Sequence, residues 1–136
     1  TTVSIHIRRG DYLKHKNYIG LCGLDYYTKA IEYVKAKYGK DISFAIFSND
    51  ITWCEVNIKP LLSDYAVTIV DWNKGKESYN DMRLMSCCKV NIIANSSFSW
   101  WAAYLNKHSN NEVIAPAVWT NMPVEFNRQL SDWTLF

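Results

Sequence analysis

The chain has 136 residues, about one domain's worth, and a compact domain of that size buries roughly two-thirds of the surface that its unfolded chain exposes. With 49% hydrophobic and 21% charged residues it lies in the ordinary globular range, which excludes disordered and fibrous classes. The net charge of +2 is dispersed, so there is no basic stripe of the kind that tracks nucleic acid, and any anion is met locally.

In chain order, the β-branched run from Val3 to Arg8 is expected as a strand, followed by a loop from Gly10 to Gly23. Asp25 to Tyr38 carries Tyr27, Ala30, Ile31, Val34 and Tyr38 at helical spacing, with Asp25 as a fair N-cap and Gly39 as a stop. Ser43 to Phe47 reads as a buried strand, Ile51 to Leu62 as a short helix broken near Pro60, and Ala66 to Val70 as another strand. A helix over Ser78 to Cys88, a strand over Val90 to Ala94, a helix over Ser97 to Asn106 and a last strand over Glu112 to Ala115 complete the pattern. Five apolar strands alternating with four helices predict an α/β fold, a parallel sheet with helices on both faces.

Ligands in such sheets bind outside the carboxyl ends of the strands. Three polar clusters fall there: His6-Ile7-Arg8-Arg9-Gly10-Asp11-Tyr12, Ser48-Asn49-Asp50, and Asn95-Ser96-Ser97-Phe98-Ser99. Two arginines leaving a strand suggest a phosphate, because the guanidinium is always charged and its planar fork matches phosphate oxygens. Asn95, Ser96 and Ser97 lie where a strand turns into a helix, whose orphan N–H groups and positive dipole end favour an anion. The plainer account of Ser96 or Ser97 is an N-cap; arginines on a neighbouring strand end move the balance toward a shared phosphate. Along a strand His6 and Arg8 share one face while Arg9 points to the other, so the two arginines are not expected to have equal roles.

No Gly-x-x-x-x-Gly-Lys-Ser/Thr run, Gly-x-Gly-x-x-Gly run or Asp-x-Asp pair is present. Cys22, Cys54, Cys87 and Cys88 have no zinc spacing and read as buried small hydrophobes of a reducing compartment. Neither a membrane span nor a signal peptide is visible, and a chain that opens directly on a strand suggests a piece of something longer. The expected location is the cytoplasm. Arg9-Gly10-Asp11 spells an adhesion tripeptide, but at a strand end a chance match is the better explanation.

The opening motif, the Phe47-Ser48-Asn49-Asp50 strand end and the stretch from Asp81 through Asn91-Ile92-Ile93-Ala94-Asn95-Ser96-Ser97-Phe98-Ser99-Trp100-Trp101-Ala102-Ala103 to Leu105-Asn106 resemble, in order, the α-1,2-fucosyltransferases, glycosyltransferase family 11. The long final motif is specific, whereas His-x-Arg-Arg is shared with α-1,6- and O-fucosyltransferases. The resemblance implies a metal-independent inverting transferase of GT-B arrangement, with two Rossmann-like domains, that moves fucose from GDP-fucose to a galactose-terminated glycan in α-1,2 linkage. Residues 1–136 would be its single Rossmann-like, C-terminal donor-binding domain, with the acceptor-binding N-terminal domain absent from this chain.

On that resemblance Arg8 grips the β-phosphate, Arg9 supports it, and Asp81 accepts hydrogen bonds from the guanine edge. His6 packs near the base, its backbone counting for more than its ring. Ser48, Asp50, Asn95, Ser96, Ser97 and Phe98 complete the expected GDP-fucose contacts, although Asp50 equally suits a helix cap and Asp81 a first-turn acid that complements the dipole. Inversion needs a base, and Asp11 is the only acid in the leading motif; bracing the loop through Arg9 is an equal alternative. No cofactor or obligatory metal is implied.

Trp100, Trp101 and Tyr104 are expected to pack against the sheet. Lys35, Lys37 and Lys40 form a solvated face that would also suit peripheral contact of the parent enzyme with the inner face of a bacterial membrane. Two competing functions stay open, a non-catalytic GDP-sugar-binding module and a transferase using a different GDP-sugar.

Overall fold

The computed structural model describes residues 1–122 and 128–136. Its strands are β1 (Thr2–Ile7), β2 (Ser43–Ser48), β3 (Ala66–Val70), β4 (Val90–Ile92), β5 (Glu112–Ala115) and β6 (Thr134–Leu135), and its helices α1 (Leu24–Tyr38), α2 (Ile51–Asn57), α3 (Tyr79–Ser86) and α4 (Ser97–Tyr104). All neighbouring strands pair in parallel, in the order β3-β2-β1-β4-β5-β6. This is the strand order of the Rossmann fold, whose direction of winding reverses between β1 and β4.

Side-chain alternation divides the core. Val3, Ile5 and Ile7 of β1 meet Tyr27, Ala30, Ile31 and Val34 of α1 and Cys54 of α2 on one face. Phe47 of β2 and Val70 of β3 pack with Met85 of α3 and Ala102 of α4 on the other. A third cluster joins Ile93, Val113 and Ala115 to Ala103, Trp119 and Trp133 at the β5–β6 side. Helices therefore cover both faces, as the alternating apolar runs require.

One polar network crosses the second face. The Asn91 amide donates to Ser4 Oγ (2.6 Å) and to the Met85 carbonyl (2.8 Å), and Asn106 Nδ2 donates to Asn91 Oδ1 (2.7 Å). Buried amides without partners would be costly, so Asn91 and Asn106 belong together and tie β1, β4, α3 and the end of α4. Part of the long specific motif is thus architectural.

Several expectations need correction. The segment 51–62 is two pieces, α2 and a separate 3-10 turn at Lys59–Leu62 holding Pro60, because proline lacks the N–H that would continue the helix. Gly23, not Asp25, precedes α1, and Asp25 lies in the first turn, where its charge suits the dipole; Gly39 does end the helix, at φ 69°. The sheet has a sixth strand, β6, only two residues long and without any periodic signal. Cys54 and Cys88 are buried, but Cys22 is half-buried and Cys87 exposed, and all four are free thiols. Trp101 and Tyr104 are not core residues: they are 48% and 55% exposed, on the outer side of α4 whose inner side is Ala102 and Ala103.

Lys35, Lys37 and Lys40 each hold an acid, Glu32, Glu112 and Asp64 respectively. Among the described residues no helix is long and apolar enough to cross a membrane.

Candidate phosphate-binding cleft at the switch point

β1 and β4 are neighbours, so the chain leaving each at its carboxyl end meets the other at the reversal of winding. From β1 come His6, Arg8 and Arg9; from β4, Asn95 and the start of α4. Ser96 caps α4, its Oγ accepting from the Phe98 N–H at 3.3 Å. Ser97 is exposed, and Asn95 is buried with its amide donating to the Trp119 carbonyl at 3.1 Å. The cap is real, and it leaves the exposed Ser97 hydroxyl and the remaining first-turn N–H groups at the dipole's positive end.

The arginines separate as alternation demands, but their partners differ from expectation. Arg8 grips Asp11 with two hydrogen bonds, Nε to Oδ1 at 3.1 Å and Nη2 to Oδ2 at 2.9 Å, and lies 5.3 Å from the centre of the Tyr12 ring. Arg9 pairs with Asp50 (3.3 Å) and stacks over Trp53 at 4.2 Å, on the α1–α2 side of the sheet. The expected brace between Arg9 and Asp11 is therefore replaced: the 3-10 turn Gly10–Lys14 carries Asp11 back under Arg8, three residues earlier. Arg8 makes no other hydrogen bond among the described residues, and a guanidinium has five donors, so most of its capacity remains for a ligand.

The β2 end supports this loop. Asp50 caps α2 by accepting from the Trp53 N–H (3.1 Å), Ser48 Oγ accepts from the Asp50 N–H (2.9 Å), and Asn49 Oδ1 accepts from the Arg9 N–H (2.9 Å). Gly10 has φ +34°, and a Cβ there would stand 2.7 Å from Asn49 Nδ2. Any other side chain would be strained at this φ and would displace the Asn49 amide that faces it.

His6 is buried on the opposite side from Arg9, its ring 5.6 Å from Phe98. Burial, helped by the positive charge of Arg8, pulls its pKa down to about 3, so the imidazole is neutral, and its Nδ1 has no hydrogen-bond partner among the described residues. Its carbonyl accepts from the Tyr27 hydroxyl at 2.9 Å. Asp81 sits in the first turn of α3, half-buried, and accepts from Asn73 Nδ2 at 2.7 Å. Burial raises its carboxyl and the Asn73 bond partly offsets this. Met82 beside it and Phe98 each pack against the cluster of Phe47, Val70, Met85 and Ala102, while Asp81 lines neither of the cavities next to Arg8 and Ser97.

Sequence reasoning overlooked the wall. A cavity of about 310 Å³ is lined by Tyr12, Tyr18, Asn95, Ser97, Trp119 and Arg128, and a smaller one of about 80 Å³ by Arg8, Arg9, Tyr12, Tyr18, Cys22 and Asn95. Tyr12 and Tyr18 stack with centroids 4.5 Å apart. Tyr12 stood in the leading motif as a visible signal; Tyr18 and Trp119 lie in aperiodic loops that carry none.

With this geometry in place, the sequence profile of glycosyl transferase family 11 matches residues 1–135. The chain belongs to glycosyl transferase family 11. This family member is 40% identical over 121 residues to the O-antigen biosynthesis glycosyltransferase WbnK of Escherichia coli, covering 87% of this chain and 39% of that protein. It is also 40% identical over 121 residues to an alpha-1,2-colitosyltransferase of Escherichia coli, covering 87% of this chain and 41% of that protein. To human galactoside alpha-(1,2)-fucosyltransferase 1 the identity is 32% over 108 residues, 77% of this chain and 29% of that enzyme. The chain thus spans about two-fifths of the bacterial relatives' length, or less for the human one. No solved structure matches it significantly. Membership of this family agrees with a Rossmann-like sheet whose switch point carries two arginines, each paired with an acid, beside the start of α4.

Proposed function

We propose that this chain is the donor-binding half of an inverting α-1,2-fucosyltransferase that uses GDP-fucose and a galactoside acceptor. The observation that carries the reading is the pairing of β1 with β4, which puts Arg8 and the Ser96–Ser97 start of α4 beyond the same ends of adjacent parallel strands. As the glycosidic bond breaks, negative charge grows on the β-phosphate while the sugar becomes oxocarbenium-like. Donors fixed beforehand at that oxygen lower the barrier without reorganising. Arg8 and the α4 N–H groups are those donors in this reading, and they supply the positive charge that an obligatory metal would otherwise bring. Turnover is expected to be unchanged by a chelator.

Asp11 is the proposed base. While it holds Arg8, the guanidinium keeps its carboxyl below the usual carboxylate range, which makes it a weak proton acceptor. A phosphate that draws Arg8 away would relieve this. Asp11 thus has two linked tasks, orienting Arg8 before the donor binds and accepting the acceptor's proton once it has bound. Asp81 reads the guanine edge, and His6 and Phe98 pack near the base. Arg9, held by Asp50 and Asn49, anchors the loop more than it contacts the donor, and Ser48 braces that anchor.

A second donor has a specific observation in its favour, since identity to the alpha-1,2-colitosyltransferase exceeds identity to the human fucosyltransferase. Initial rates of the full-length enzyme with GDP-fucose and with a GDP-activated colitosyl donor, on a β-galactoside, separate the two. Transfer from GDP-fucose supports the proposal; turnover only with the second donor transfers it to that sugar.

A further inference from the structure

Beyond Ser97 the cleft continues. A second cavity, about 390 Å³, is lined by Ser97, Trp100, Trp101, Trp119, Gln129 and Leu130. It shares Ser97, Trp119 and Arg128 with the 310 Å³ cavity, which in turn shares Tyr12, Tyr18 and Asn95 with the small cavity at Arg8. These shared residues set the three cavities side by side, a trough of adjoining chambers from the arginine to the tryptophans.

The chemistry changes along it. At one end stand a guanidinium and a helix N-terminus; at the other, indole rings beside an amide and a hydroxyl. The Trp100 indole N–H is already given to the Arg128 carbonyl (2.6 Å), and Gln129 Nε2 donates to the Pro116 and Ala117 carbonyls at 2.7 and 3.2 Å. The indole and the amide are therefore held in fixed orientations, with the Gln129 carbonyl oxygen left as an acceptor. Flat aromatic faces paired with fixed planar polar groups suit a sugar ring, which is apolar across its C–H face and polar around its rim. Both cavities lie at the small end of the range of about 300–1,000 Å³ usual for ligand sites, room for one or two rings each.

Core packing does not account for Trp101, since the ring is 48% exposed and meets Trp100 and Tyr104 edge-on. We infer that the trough orders its ligands, phosphate at Arg8, donor sugar between Tyr12 and Ser97, and acceptor galactoside against Trp100 and Trp101, so that this half of the enzyme contributes an acceptor subsite. The inference rests on the proposed GDP-sugar reading. It gives the tryptophans of the family motif a task at the surface, with Ser97 at the junction where the sugar changes hands.

The test is Trp101→Ala and Trp101→Phe in the full-length enzyme, with lactose as acceptor, saturating GDP-fucose, and GDP affinity measured alongside by calorimetry. Loss of an aromatic stacking face is expected to raise the lactose KM about three- to tenfold in Trp101→Ala, while kcat and GDP affinity stay within about twofold and Trp101→Phe behaves as wild type. An unchanged KM in Trp101→Ala, or a fall in GDP affinity equal to the rise in KM, overturns the acceptor subsite and leaves the donor reading standing. Wild-type enzyme that does not bind GDP overturns both.

Discussion

Acidification should weaken this fold through one histidine. His6 is buried between β1 and Phe98, next to Arg8, and its pKa falls from 6.5 to about 3. The unfolded chain takes up a proton as pH drops through 6.5, whereas the folded chain refuses it until about 3. The stability contributed by neutral His6 is therefore complete above 6.5 and declines as pH falls through the window between those values. At about pH 5 the gap from the unfolded value is about 1.5 units, a loss of about 2 kcal/mol. That is a sizeable share of the ~5–15 kcal/mol that holds a typical domain together. Urea unfolding of wild type and His6→Asn at about pH 7.5 and about pH 5 measures it; the wild type should lose about 2 kcal/mol more than the variant. A second readout needs no variant, for the His6 ring signals in NMR should stay unshifted across that range. Parallel pH slopes in the two proteins, or a ring that titrates near 6.5, would refute a neutral buried imidazole.

Arg8→Ala in the full-length enzyme should cut kcat about a hundred- to thousandfold, the usual cost of one preorganised donor; near-normal turnover removes Arg8 from the mechanism. Asp81→Asn should erase most of the preference for GDP over UDP, since an amide presents a donor where the guanine edge also donates; competition binding reports the ratio. Glu112 is a prediction about stability alone: burial raises its carboxyl, but hydrogen bonds from Tyr38, Lys37 and Tyr33 outweigh this and hold it low. Glu112→Gln should cost about 1–3 kcal/mol at neutral pH, and the wild-type advantage should disappear in acid as the carboxylate takes its proton.

The sheet was legible because its strands are continuous apolar runs and its helices carry 3.6-residue spacing. Its parallel pairing followed from the alternation of strands and helices, whereas the strand order comes from the structure alone. What escaped had no such signal. β6 is two residues pairing with β5 after a long aperiodic stretch, and Tyr18 and Trp119 reach the cleft by tertiary contact from loops. The switch in arginine partners was hidden for another reason. Alternation correctly put Arg8 and Arg9 on opposite sides, but it cannot say that a 3-10 turn brings Asp11 back to Arg8 while Asp50, 41 residues on, meets Arg9. Trp100 packs against the β5–β6 cluster as expected, but Trp101 and Tyr104 misled because hydrophobicity alone places them inside, whereas Ala102 and Ala103 take the inner side of α4.

The central claim is that a guanine nucleotide diphosphate occupies the cleft between β1 and β4. Calorimetric titration of this chain with GDP, UDP and ADP, repeated on Arg8→Ala, tests it most directly. GDP should bind about tenfold or more tightly than UDP and ADP, and Arg8→Ala should lose most of that affinity. Equal binding of the three nucleotides, or GDP affinity untouched by removal of Arg8, would contradict it.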